Sequence, residues 1–279
     1  MDRDAIAASV KIALAEDIGS GDVSAQLCPE DDARAQVICR ETATLCGQAW
    51  FAECFRQLDE SITVEWLKHD GALLHPQQIV CQLHGPAAAL LTGERTALNF
   101  LQTLSGTATA TRKLLHRMRG SHTQLLDTRK TIPGLRKAQK YAVLCGGGNN
   151  HRMGAYDAYL IKENHIQACG SIPAAVQQAR QRSDNLKIEV EVEVENLSEL
   201  QLAISSEADI ALLDNFSLDQ VKQALAMRDE LASGIKLEVS GDINMDNISQ
   251  YAQCGVDYIS VGAITKHIQA VDLSMRFLS

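Results

Sequence analysis

The sequence is short of several things, and each shortage removes a class of function. Positive charge is scarce: 26 Lys and Arg stand against 35 Asp and Glu, a formal net charge of −9. A globally acidic chain does not attract nucleic acid or anionic lipid through its long-range field, so any anion it binds must meet a local basic cluster. None of the eight cysteines (Cys28, Cys39, Cys46, Cys54, Cys81, Cys145, Cys169 and Cys254) forms a Cys-x-x-Cys pair, and no Cys/His group has zinc spacing. They read as reduced, mostly buried thiols of a cytoplasmic protein. The opening MDRDAIAASV lacks the basic and apolar regions of a secretory signal, and no apolar run reaches membrane-spanning length. No Gly-x-Gly-x-x-Gly follows a strand, which counts against a dinucleotide site. Repeats and low-complexity tracts are missing too.

What is present is enough apolar material, 46% of 279 residues, for one large core or two unequal domains without metals or disulfides. Residues 4–16 place Ile6, Val10, Ala13 and Leu14 at helical spacing, and Ile18-Gly19 supplies the stop. Residues 35–40 and 62–67 alternate as strands around a helix at 48–58. His69-Asp-Gly71 and His84-Gly-Pro86 read as turns. A long helical stretch over 87–118 is expected to break at Gly106. Beyond it the pattern changes to short apolar strands (124–127, 158–161, 186–194, 210–213, 236–239, 258–261). Helices alternate with them near 135–145, 172–182, 197–205, 217–231, 244–253 and 264–270. Such alternation implies a parallel sheet, and six or seven units suit an incomplete (β/α) barrel better than a doubly wound sheet.

Barrels of this kind place chemistry at the carboxyl ends of their strands. Arg129 and Lys130 stand where the first strand opens into its loop. His151 and Arg152 follow Gly146-Gly-Gly-Asn-Asn, and Lys162 ends the next strand. Guanidinium forks match carboxylates and phosphates, and lysine adds a point charge. Arg136, Lys137 and Lys140 lie on a helix and are expected on a solvated face. After Lys187, the stretch 188–195 alternates glutamate with valine or isoleucine. A strand sends successive side chains to opposite faces, so the valines should meet helices and the glutamates the barrel interior. Inward carboxylates need cationic partners or a metal at the mouth; the alternative is an edge strand with one wet face. Glu193 and Asp214 end adjacent strands and suit hydroxyls or a phosphate-bound metal. Val239-Ser-Gly-Asp242 and Val261-Gly-Ala263 are small-residue turns before helices, a setting that binds phosphate on backbone N–H groups. On residues alone, Glu94-Arg95 reads as a surface ion pair.

Together, Thr128-Arg-Lys-Thr131, Gly146-Gly-Gly-Asn-Asn-His-Arg152, Lys162-Glu-Asn-His165, Glu191-Val-Glu-Val-Glu195, Leu213-Asp-Asn215 and Val261-Gly-Ala263 resemble the quinolinate phosphoribosyltransferases, from Glu16 to the end of the chain. The resemblance implies an N-terminal α/β sandwich domain (1–105), an open, incomplete (β/α) barrel (106–270) and a tail (271–279) that returns to the first domain. It implies condensation of quinolinate with phosphoribosyl pyrophosphate (PRPP) to nicotinate mononucleotide, pyrophosphate and CO2, with Mg2+ carried by PRPP near Glu193 and Asp214 rather than by a certain protein ligand. It implies a homodimer, or a larger assembly such as a hexamer, with Arg95 entering from the other subunit against the surface reading above. By motif match, Arg95, Thr128, Arg129, Lys130, His151, Arg152 and Lys162 are expected on quinolinate. Lys130, Lys162, Glu193, Asp214, Ser240, Gly241, Asp242, Val261, Gly262 and Ala263 are expected on PRPP. Lys130, Lys162, Glu193 and Asp214 carry the chemistry. One departure shows: many members have glycine where this chain has Asp242, whose carboxylate is expected to point outward. The intact Asn150-His151-Arg152 and Lys162 argue against a same-fold paralogue encoded with molybdate transporters. A single-carboxylate nicotinate enzyme would not need so many cations, and a non-catalytic barrel would be expected to have lost one of the four catalytic residues.

Overall fold

A computed structural model describes residues 2–28, 31–183, 188–231 and 233–278. Along the chain the elements are α1 (Arg3–Ile18), β1 (Asp32–Cys39), β2 (Ala43–Thr44), α2 (Gln48–Leu58), β3 (Thr63–Trp66), β4 (Leu73–Leu74), β5 (Gln78–Pro86), α3 (Ala87–Arg117), β6 (Gln124–Leu126), α4 (Arg136–Cys145), β7 (Tyr159–Ile161), α5 (Glu163–Cys169), α6 (Ile172–Ser183), β8 (Val190–Val194), α7 (Leu197–Ser205), β9 (Ile210–Asp214), α8 (Leu218–Glu230), β10 (Lys236–Ser240), α9 (Ile248–Gln253), β11 (Tyr258–Ser260), α10 (Ala263–Lys266) and β12 (Leu273–Phe277). They divide into two compact units. One comprises Met1–Arg112, Ile132–Gly147 and Ile264–Ser279, the other Lys113–Thr131 and Gly148–Ala263.

The first unit is built on an antiparallel sheet in the order β12-β1-β5-β3. The tail thus adds a strand beside β1. Strand β1 buries Ala35, Val37 and Cys39 in alternation, and their face meets Ile6, Val10 and Leu14 of α1 and Phe51 and Phe55 of α2 in one core. Each of the valine, isoleucine, leucine and phenylalanine side chains among them contributes roughly 1.5–3 kcal/mol on burial. Helix α1 ends as the sequence indicates: the Gly19 N–H donates to the Ala15 carbonyl with φ at 53°. Asp70, in the turn read at His69–Gly71, accepts from the N–H groups of Gly47 and Gln48 and so caps α2.

Three expectations fail in this unit. Helix α3 runs unbroken through Gly106, because the glycine is there for proximity: a Cβ on it would lie 2.3 Å from the Gln269 carbonyl oxygen. His84-Gly-Pro86 is the end of strand β5, with Gly85 pressed against Ile62, rather than a turn. Lys140 is fully buried on α4 instead of solvated, since that helix buries Ala138, Gln139, Ala142 and Val143 around it.

The second unit is a parallel sheet in the order β6-β11-β10-β9-β8-β7. Its edge strands β6 and β7 do not pair with each other, so the barrel is open. Strand β8 lies between β7 and β9, which removes the edge-strand alternative. It begins at Val190, and residues 186–187, the start of the expected strand, lie outside the described residues. Val190, Val192 and Val194 are buried, as the alternation requires. The late helices are shorter than expected, because Asn244 and Asn247 turn back onto the Asp242 carbonyl before α9 begins.

Candidate active site

All the strand ends of the open barrel carry functional groups. Asp127 follows β6, Lys162 follows β7, Glu193 lies near the end of β8, Asp214 and Ser240 end β9 and β10, and Val261 follows β11. Parallel strands with ordinary register bring these six positions to one rim. Neighbouring pairs confirm the alignment: Ser240 stands opposite Asp214, and Ser260 opposite Leu126.

On one side of the rim the charges interlock. The Lys162 ammonium donates to Glu193 Oε2. Asp214 is raised above the ordinary carboxylate range, first by burial and then by the Glu193 charge, while Lys162 and Lys130 pull it back. Four charged groups from three strands and the β6 loop therefore share one field. Asn215 Nδ2 donates to Asp214 Oδ2 at 2.9 Å. Asn215 also abuts the first small-residue turn, where a Cβ on Gly241 would lie 2.1 Å from Asn215 Oδ1. At the second turn, a Cβ on Gly262 would lie 2.8 Å from Lys130 Cδ and 3.2 Å from Thr128 Oγ1. Both glycines hold space beside a cationic or polar group. Asp242 is exposed and its backbone lies in the left-handed region at φ 42°.

On the other side lies a cavity of about 520 Å3, lined by Arg129, Arg152, Tyr159, Lys162, His165 and Arg182 among others. Partial burial, and then the neighbouring Arg129 charge, hold the Arg152 guanidinium below its ordinary value. Like charges packed this way favour an anion between them. Beneath this cavity, His151 Nε2 is 3.0 Å from Glu191 Oε2 and 3.6 Å from Glu238 Oε2. Asp127 is fully buried and accepts from the His151 N–H at 2.9 Å.

The model of the quinolinate phosphoribosyl transferase N-terminal domain matches residues 22–105, and that of its C-terminal domain matches residues 107–276. The chain belongs to the quinolinate phosphoribosyltransferase family. A probable nicotinate-nucleotide pyrophosphorylase [carboxylating] of Bacillus subtilis is 41% identical over 261 residues, covering 93% of this chain and 89% of that one. The chloroplastic nicotinate-nucleotide pyrophosphorylase [carboxylating] of Arabidopsis thaliana is 37% identical, over 96% of this chain and 82% of its own length. The solved nicotinate-nucleotide pyrophosphorylase of Francisella tularensis is 48% identical, with a TM-score of 0.94 over 100% of this chain and 98% of that one.

Among the family positions, Arg129, Arg152 and Lys162 line one cavity. Lys130, Glu193 and Asp214 share the adjoining rim, with Thr128, Ser240, Gly241, Val261, Gly262 and Ala263 at or beside the ends of β6, β10 and β11. Arg95 is exposed on α3, in the other unit. Sequence reading missed His165, whose Nδ1 accepts from the Lys162 N–H at 3.0 Å and orients that strand end. It also missed Arg182, on α6, and Glu238, whose partners are far away in the chain. The only sequence signal for Glu238 is a lone glutamate in the apolar strand Leu237–Val239, an acid in the middle of a run that must be buried.

Proposed function

We propose that this chain transfers the phosphoribosyl group of PRPP to quinolinate, releasing pyrophosphate and CO2 and leaving nicotinate mononucleotide. One observation carries the reading. A chain of net charge −9 gathers Arg129, Lys130, Arg152 and Lys162 around adjoining strand ends, with two carboxylates beside them. Two polyanionic substrates account for such a concentration of positive charge, and the family's curated members bear the matching name.

In this reading Arg129 and Arg152 face the two carboxylates of quinolinate, flanked by Thr128, His151, Lys130 and Lys162. Glu193 and Asp214 hold the ribose hydroxyls, and the turns at Ser240–Asp242 and Val261–Ala263 hold the 5-phosphate. The pyridine nitrogen attacks the ribose carbon as the C–O bond to pyrophosphate breaks. Lys130 and Lys162 stabilise the departing negative charge, and the carboxylates favour the positive charge building on the ribose. The bond from C2 to its carboxylate then breaks, its electron pair remaining beside the cationic ring nitrogen until C2 takes up a proton. No activated nucleophile is required.

Mg2+ fits the site, since Glu193 and Asp214 are close enough for one to raise the other and would welcome a cation borne by pyrophosphate. When bound it would neutralise charge on the leaving group. The working unit is proposed to be a homodimer, or a multiple of one, in which the partner subunit's Arg95 completes the quinolinate pocket. A cytoplasmic location is supported by the unbridged cysteines, and no helix among the described residues is long and apolar enough to cross a membrane. CO2 release from carboxyl-labelled quinolinate tests the whole reading: it should require both PRPP and Mg2+. Release without PRPP, or none with both present, would overturn it.

A further inference from the structure

His151, Glu191 and Glu238 meet inside the open barrel, and their donor atoms all lie within 4.8 Å of one another. The two glutamate side chains are 2% and 0% exposed. Such a set has the composition of a cation site, but its hydrogen bonds exclude one in this arrangement. His151 Nδ1 accepts the Arg152 N–H at 2.8 Å, so Nδ1 presents a lone pair and the proton of the neutral ring sits on Nε2, pointing at Glu191. A metal on Nε2 would force that proton onto Nδ1, setting two N–H groups face to face.

What neutralises the acids is therefore a proton. Two adjacent buried carboxylates cannot both ionise cheaply. Neither oxygen of Glu238 accepts a hydrogen bond among the described residues, and the Ser260 hydroxyl beside it donates to Ser240 Oγ at 3.1 Å. Burial first, then the Glu191 charge, push Glu238 up to about 8. Glu191 Oε2 faces the Nε2–H at 3.0 Å. The other groups facing this cluster are Arg152 beside His151, and Glu189 and Tyr258 across a cavity of about 290 Å3.

We propose that Glu191 and Glu238 are positioning residues: Glu191 Oε2 takes the Nε2–H with Glu238 packed behind it, so His151 is held as the Nε2–H tautomer and its ring fixes the main chain of Arg152, whose guanidinium lines the anion pocket. The chain of contacts runs from Glu238 through Glu191, Nε2, Nδ1 and the Arg152 N–H to the pocket wall. That the pocket's anion is quinolinate rests on the function proposed above.

Nitrogen NMR of uniformly 15N-labelled, substrate-free enzyme reads the tautomer directly, with the His151 signals assigned by their loss in His151→Gln. A protonated Nε2 and an unprotonated Nδ1 are expected at neutral pH; the opposite tautomer or an imidazolium would overturn the proposal. This measurement needs no substrate, so it stands even if quinolinate proves not to be decarboxylated, and CO2 release tests that separately. In steady-state assays Glu191→Gln should raise the KM for quinolinate about 10- to 100-fold and leave the KM for PRPP unchanged. Equal increases in both would refute a role through Arg152. Glu238→Gln, a neutral stand-in for the protonated acid, should keep the Nε2–H tautomer of His151 in the same spectra. An imidazolium or the opposite tautomer in that variant would refute a neutral Glu238. Should Glu191→Gln not fold, the tautomer measurement on the natural chain still decides.

Discussion

Lys162 and Glu193 hold each other across the ends of β7 and β8, the ammonium donating to Glu193 Oε2. Side-chain exposures of 45% and 19% leave this pair well screened, worth about 0–1 kcal/mol to stability. In the proposed mechanism its value is to catalysis, where a cation preset at a strand end would meet the charge leaving with pyrophosphate. Lys162→Ala, and likewise Lys130→Ala, should therefore melt within a few degrees of the natural chain and lose about 10²–10³-fold in kcat. Calorimetry beside CO2 release checks both halves. Full turnover in either variant would remove that lysine from the chemistry.

The Gly241–Asn215 contact gives a second expectation. Alanine at 241 would sit at φ 94° with its Cβ 2.1 Å from Asn215 Oδ1, so the turn must move. The strain costs on the order of 1–3 kcal/mol. Because Asn215 is bonded to Asp214, the KM for PRPP should rise more than that for quinolinate. Gly234→Ala is the control: nothing lies within 4 Å of that Cβ and φ is not positive, so melting and both KM values should stay put.

The barrel and its rim were legible because strands that end in Lys, Glu and Asp announce themselves against apolar neighbours. Strand β8 shows this best: its alternation foretold inward glutamates in need of partners, and Lys162 and His151 are those partners. What sequence could not supply were contacts between distant positions. Gly106 reads as a helix breaker because glycine costs about 1 kcal/mol in a helix, yet an approach to residue 269 overrides that penalty. Helix α5 has seven residues and buries none of them, so no apolar stripe marks it. Lys140 reads as solvated because a helix of that composition usually has a wet face; α4 keeps one at Lys137 and Leu144, but Lys140 lies with Ala138, Gln139, Ala142 and Val143 on the buried side. The cluster of residues 151, 191 and 238 joins three segments that share no local pattern.

Glu238 also makes a prediction about stability. Its folded pKa of about 8 lies above the ordinary 4.5, so the native state holds more protons than the unfolded state between those values. Stability from this group is then greatest below about pH 4.5 and falls as pH rises toward 8. Asp214, raised too, acts in the same direction, whereas Glu53 and Asp22 are lowered and act oppositely at acid pH. Subtracting the two proteins isolates Glu238. The stability of Glu238→Gln minus that of the natural chain should grow steadily between about pH 5 and pH 9, by a few kcal/mol at most. Denaturant melts across that range measure it, and a flat difference would mean that Glu238 is ionised throughout.

Arg95 poses the question of assembly. It is exposed on α3 and donates no hydrogen bond among the described residues, and its neighbour Glu94 is raised by burial more than Arg95 lowers it. In the proposed dimer, an exposed arginine with no hydrogen bond among the described residues is suited to reach into the other subunit's pocket. Arg95→Ala homodimers should then lack turnover, as should Lys162→Ala homodimers. Mixed after mild dissociation, the two variants form heterodimers in about half of the molecules. Each heterodimer has one barrel with Lys162 intact and covered by a natural Arg95. Recovery should approach about a quarter of natural activity, one working site in two across half the dimers. An arginine that serves only its own barrel would leave both sites of every heterodimer damaged, and the mixture would stay as inactive as its parts.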